Sequence, residues 1–129
     1  MLLITNNPRF KNGDFLENNL DFKATVFFSE ITYIDILKKV REYVHKNYKL
    51  LTHPLYGSVK PNETIYRTVI LKEGKELDYD SVRLIEDAIY TAEKFLNNKK
   101  TPDWSESIKE DFQVIDYDII MNTINRIKY

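Results

Sequence analysis

The chain has 129 residues, 43% of them hydrophobic and 30% charged, with a formal net charge of -1. A chain of this length and composition can bury roughly two-thirds of its unfolded surface in one core, which argues against disorder. Nineteen basic residues against twenty acidic ones leave no cationic excess for nucleic-acid binding by counterion release. The absence of cysteine excludes disulfides, thiolate nucleophiles and Cys-ligated metals, and two histidines are too few for a structural zinc site.

Met1–Thr5 is a short apolar run and reads as a buried strand. Asn7 followed by Pro8 is an N-cap and first helical residue, so a short helix is expected, ending near Gly13. Phe22–Phe28 is aromatic and β-branched, a second strand. Thr32 with Asp35 three residues on resembles a capping box. Leu37, Val40 and Val44 continue a helical stripe that should end near Asn47, a residue that tolerates the left-handed region.

Lys49–Thr52 reads as a third strand. Strand, helix, strand implies a parallel pair with a right-handed crossover. His53 to Thr64, with Pro54, Gly57 and Pro61, has neither helical nor strand period and reads as a long loop.

Tyr66–Leu71 is the fourth strand. Glu73-Gly74 marks a turn with a possible hairpin return at Glu76-Leu77. Asp80 or Ser81 is expected to cap a long helix with Val82, Ile85, Ala88 or Ile89, Ala92 and Leu96 on its apolar face. The C-terminal part reads as two helices, Trp104–Asp111 and Tyr117–Lys128, with Gln113–Asp118 as a break or short strand. The expectation is one α/β domain over residues 1–129. It has a small, mainly parallel, Rossmann-like sheet of about four strands, helices packed on it, and a helical C-terminus. No apolar run approaches the ~20 residues of a membrane span, and Met1-Leu2-Leu3-Ile4 is too short for a signal peptide. A soluble, cytoplasmic chain without nucleic-acid or membrane partners is expected.

In parallel sheets, ligands bind outside the carboxyl ends of the strands. Three such ends are polar here: Thr5-Asn6-Asn7-Pro8, Ser29-Glu30 and Thr52-His53-Pro54. Thr5, Asn6 and Asn7 open a helix whose free N–H groups favour an anion, or else simply cap it and close a turn. His53 is a candidate acid/base because its pKa lies near neutrality, or a histidine bonded to a loop carbonyl. The loop offers Gly57 for close backbone approach and Ser58, Lys60, Asn62, Glu63 and Thr64 as polar groups, with Lys60 suited to a carboxylate or phosphate. It lacks the spacing of a phosphate-binding Walker loop, and it reads equally well as an ordered connection. With Thr52, these residues form the candidate site, and no metal or cofactor is expected.

Three stretches carry a family resemblance. Leu2-Leu3-Ile4-Thr5-Asn6-Asn7-Pro8, the block from Leu50 to Thr64 (LLTHPLYGSVKPNET) and Leu84-Ile85-Glu86-Asp87-Ala88-Ile89 resemble the GrdX family, from Met1 to about Leu96 and more loosely beyond. Tyr56 and Ile65 stand where that family's pattern has Ser and Pro. The resemblance implies an association with glycine, sarcosine or betaine reductase in amino-acid-fermenting anaerobes. It supplies no catalytic residues. Three roles follow as alternatives: an accessory protein binding a small anionic metabolite or a reductase subunit; a small enzyme with His53 as acid/base and Lys60 neutralising substrate charge; or a purely structural or interaction protein, as a monomer or a homodimer.

Overall fold

The computed structural model describes residues 1–13, 23–55 and 60–127. Its elements in chain order are β1 (Leu2–Thr5), a 3-10 turn (Pro8–Phe10), β2 (Thr25–Phe28), α1 (Tyr33–Val44), β3 (Lys49–Leu50), β4 (Thr68–Lys72), α2 (Tyr79–Asn98) and α3 (Glu106–Arg126).

The four strands form one sheet in the order β2-β1-β4-β3. β1 pairs with β2 in parallel, whereas β4 runs antiparallel to both β1 and β3. The sheet is therefore mixed, with one parallel pair, rather than mainly parallel as expected. Two opposed pairings through β4 leave β1, β2 and β3 pointing the same way, so the crossover through α1 does return the chain in its original direction. β3 nevertheless does not pair with β2, because β1 and β4 lie between them. Among the described residues no helix separates β3 from β4, and without a crossover helix a chain comes back antiparallel.

Strand alternation decides the layers. Leu2, Ile4, Val69 and Leu71 face Ile36, Leu37, Val40 and Val44 of α1 and Ile85, Ala88, Ile89 and Ala92 of α2. Leu3 and Ile70 face the other way, against Phe10 and against Ile120 and Ile124 of α3. The result is three layers, helices–sheet–helix. Each fully buried Leu or Ile contributes about 1.5–3 kcal/mol by leaving water.

Local signals set most helix ends. The Asn7 side chain accepts from Arg9 N at the 3-10 turn, and Gly13 has the positive φ expected where that turn ends. Thr32 Oγ1 accepts from Asp35 N at 3.2 Å, and Asn47 follows α1 at φ 74°. Four expectations are corrected. Asp78, not Asp80 or Ser81, caps α2, because its carboxylate accepts from both the amide and the hydroxyl of Ser81. Glu76-Leu77 forms no return strand; that segment leads straight to the Asp78 cap. The C-terminal segment is one helix, capped by Ser105, because Asp116, Ile120 and Ile124 lie on one continuous buried face. The second strand is shorter than expected, beginning at Thr25; Phe22 lies outside the described residues. Among the described residues no helix is long and apolar enough to cross a membrane.

Candidate functional site

β1 and β2 are neighbouring parallel strands whose chains leave in opposite directions. After β1, Phe10 joins the layer with α3; after β2, α1 covers the other face. A crevice opens at such a divergence, and here it is a cleft of about 560 Å3. Asn6 and Pro8 reach it from β1, Glu30 to Ile34 from the β2–α1 junction, Thr64 to Tyr66 from the approach to β4, and Leu96 and Thr101 from the end of α2 and beyond. Its walls are mainly apolar: Ile31, Ile34, Ile65 and Leu96 with the rings of Tyr33 and Tyr66. Glu30 is the charged side chain among these lining residues.

Behind the cleft wall lies a buried polar chain. The Asn7 amide donates to Thr5 Oγ1 at 2.9 Å, and the Thr5 and Thr68 hydroxyls are 2.7 Å apart. The Thr68 hydroxyl donates to Asp116 Oδ2 at 2.6 Å. Since that bond uses the single Thr68 proton, Thr5 must donate to Thr68. Asn7 Nδ2 adds bonds to Asp116 Oδ2 at 3.0 Å and to the Gln113 carbonyl at 2.9 Å. Burial pushes the Asp116 carboxyl above its ordinary value, against the opposing pull of the Arg67 charge and of the Thr68 and Asn7 donors. Arg67 is itself buried. It donates through Nε to Tyr33 Oη at 3.0 Å, with its guanidinium 5.2 Å from the Tyr33 ring centre. Burial likewise raises the Tyr33 hydroxyl, against the effect of Arg67. The polar chain thus ties the cleft wall, the ends of the two central strands and α3 together.

The residues singled out from sequence do not share one pocket. Asn6 lines the cleft, but its amide is committed to backbone: Nδ2 donates to Ile31 O and Ile65 O, and Oδ1 accepts from Arg67 N. Thr5 and Asn7 belong to the buried chain. Thr52 Oγ1 accepts from Ile70 N and holds the end of β3. His53 is exposed and its Nδ1 accepts from Leu55 N at 3.1 Å. Lys60 is exposed, and its carbonyl accepts from Glu63 N and Thr64 N. Asn62 donates to Phe95 O and Lys99 O at the end of α2, and its Oδ1 is buried with no partner among the described residues. The Glu63 carbonyl accepts from Trp104 Nε1 at 2.7 Å. Gly57 and Ser58 lie outside the described residues. The cause of the separation is strand order: β4 stands between β1 and β3, so the end of β3 opens away from the β1–β2 crevice.

Arg67, Thr68 and Asp116 are not among the residues that the sequence singles out for a site. Asp116 did carry a signal, because it precedes Ile120 and Ile124 at four-residue spacing and so shares their buried face.

A family model described as GrdX-like protein matches residues 2–125. The chain belongs to the GrdX-like family. The match runs from the start of β1 almost to the end of α3, so the GrdX-like unit includes the cleft, the buried polar chain and the helix that closes the second layer. No curated protein and no solved structure matches the chain.

Proposed function

We propose that this GrdX-like protein is an accessory factor of a glycine, sarcosine or betaine reductase system, and that its cleft holds a segment of a reductase subunit. The cleft chemistry carries the choice between a subunit and a small anion. Glycine, acetyl phosphate or phosphate is the size of a few water molecules at about 30 Å3 each, so any of them would leave most of a 560 Å3 space empty. Apolar walls and a lining carboxylate are also poor surroundings for a compact anion, and Lys60 does not line the space. A site of roughly 300–1,000 Å3 with apolar walls and a few polar groups suits a larger, partly apolar occupant. The lack of cysteine fits an auxiliary part in a redox system, whose thiol or selenol chemistry would reside in the partner.

Calorimetry with purified reductase subunits, one at a time, tests this. One subunit is expected to bind, and Ile34→Glu should weaken it at least about tenfold, or about 1.4 kcal/mol. That variant places a charge in the cleft at a first-turn helix position where an acid suits the dipole. Glycine, acetyl phosphate and phosphate should leave the melting temperature unchanged. A clear thermal shift with one of them, and no binding by any subunit, would reverse the choice.

A further inference from the structure

Among the described residues β2 is an edge strand of the sheet. Thr25 N donates to Met1 O at 2.9 Å and Ser29 N to Thr5 O at 3.1 Å. In a parallel ladder the hydrogen-bonding residues alternate, so Thr25, Phe27 and Ser29 face β1. The N–H and C=O groups of Val26 and Phe28 therefore point away from the sheet. This edge leads directly into Glu30–Ile34, which line the cleft.

Among the described residues, lysines flank the edge. Lys11 Nζ lies 5.6 Å from the centre of the Phe28 ring and Lys39 Nζ 5.4 Å from that of Phe27. These neighbouring residues face opposite sides of the sheet, so a lysine stands on each side of the edge. Lys23 precedes the strand, and its carbonyl accepts from the N-terminal ammonium at 3.3 Å. Lys39 pairs with Glu42 at 2.8 Å; Lys11 and Lys23 form no ion pair among the described residues. The chain as a whole carries a charge of -1; among the described residues Lys11 and Lys23 bring unpaired positive charge to this edge, which ends at Glu30.

We propose that an extended segment of the partner, acidic where it adds to β2 as a fifth strand and apolar where it continues into the cleft, is held here. The inference rests on the proposed function and specifies how the subunit is held. Strand addition takes its affinity from main-chain hydrogen bonds and its specificity from flanking side chains; here the lysines select carboxylates. They also disfavour a second copy of this chain. A two-fold antiparallel pairing centred on Phe27 would bring Lys39 against its own counterpart.

Amide hydrogen exchange on the free chain is the first measurement. Val26 and Phe28 should exchange at nearly unprotected rates while Phe27 and Ser29 are slow. Adding the bound reductase subunit should slow Val26 and Phe28 at least about a hundredfold. Val26→Pro is the matching variant, because proline is tolerated in an edge strand where the missing N–H faces outward. It should weaken subunit binding at least about tenfold with the melting temperature little changed, and Lys11→Glu should weaken binding and flatten its salt dependence. Protection of Val26 and Phe28 in the free chain would overturn the inference. So would unchanged binding by a folded Val26→Pro. If the subunit binds, Ile34→Glu weakens it and Val26→Pro does not, the cleft reading stands and the added strand fails; if no subunit binds, both fail.

Discussion

The Thr68 hydroxyl and the Asp116 carboxylate, 48 residues apart in sequence, meet at 2.6 Å in the protein interior. This bond joins the start of β4 to the middle of α3, and through Thr5 and Asn7 it reaches the carboxyl end of β1. It places a buried acid behind the cleft wall rather than in the cleft.

The buried acid makes stability depend on pH. Burial raises the Asp116 pKa in the folded chain above its unfolded value. Its contribution is then fully present below the ordinary carboxylate range and is lost as pH rises through the raised folded value. Chemical unfolding across that window should show this decline, and Asp116→Asn should remove it. Asp116→Ala should cost about 2–4 kcal/mol at low pH, where the native acid is protonated, because it strands the Thr68 hydroxyl and the Asn7 side-chain amide, and the cost should shrink as pH rises. A pH profile identical for wild type and Asp116→Asn would refute the assignment.

Gly74 is required for steric reasons. A Cβ at this position would lie 2.6 Å from the Asn47 carbonyl oxygen, a backbone atom that cannot swing aside. Gly74→Ala should lose about 1–3 kcal/mol. Asn47 occupies the left-handed region at φ 74°, so Asn47→Gly should fold at least as stably as wild type, whereas Asn47→Val should lose about 1–2 kcal/mol. Denaturant midpoints measure all three.

Ser81 joins α2 to the sheet. Its Oγ accepts from Leu50 N at 3.0 Å and donates to Asp78 at 2.6 Å. Ser81→Ala leaves a buried backbone N–H without a partner and should cost about 1–3 kcal/mol. Faster exchange of the Leu50 amide would locate the loss; unaltered exchange would contradict it.

Val114 tests the continuity of α3. It is 39% exposed, so its side chain contributes little packing. Val114→Pro should nonetheless cost about 3 kcal/mol, through the lost hydrogen bond and the clash with the preceding turn. Near-wild-type stability would mean that the helix is interrupted there.

Cap and turn signals were legible because they act over a few residues: Asn7 with Arg9, Thr32 with Asp35, and Asn47 just past α1. Composition and periodicity likewise indicated an α/β chain with about four strands and a helical C-terminus. The same reading failed at Gln113–Asp118. The buried acid of that segment, Asp116, is satisfied by Thr68 and Asn7 from elsewhere in the chain, which no local pattern shows.

By itself the sequence determined the existence of four strands, the helices α1 and α2 with their apolar stripes, and, through its three characteristic stretches, the GrdX-like family. Only the tertiary structure decided strand order and direction. That order, with β4 between β1 and β3, kept His53 away from the crevice and brought Asn6, Glu30, Thr64 and Leu96 to it. The division has a physical cause. Alternating apolar residues say that a face must be covered, whereas which partner covers it depends on how all the faces are buried together.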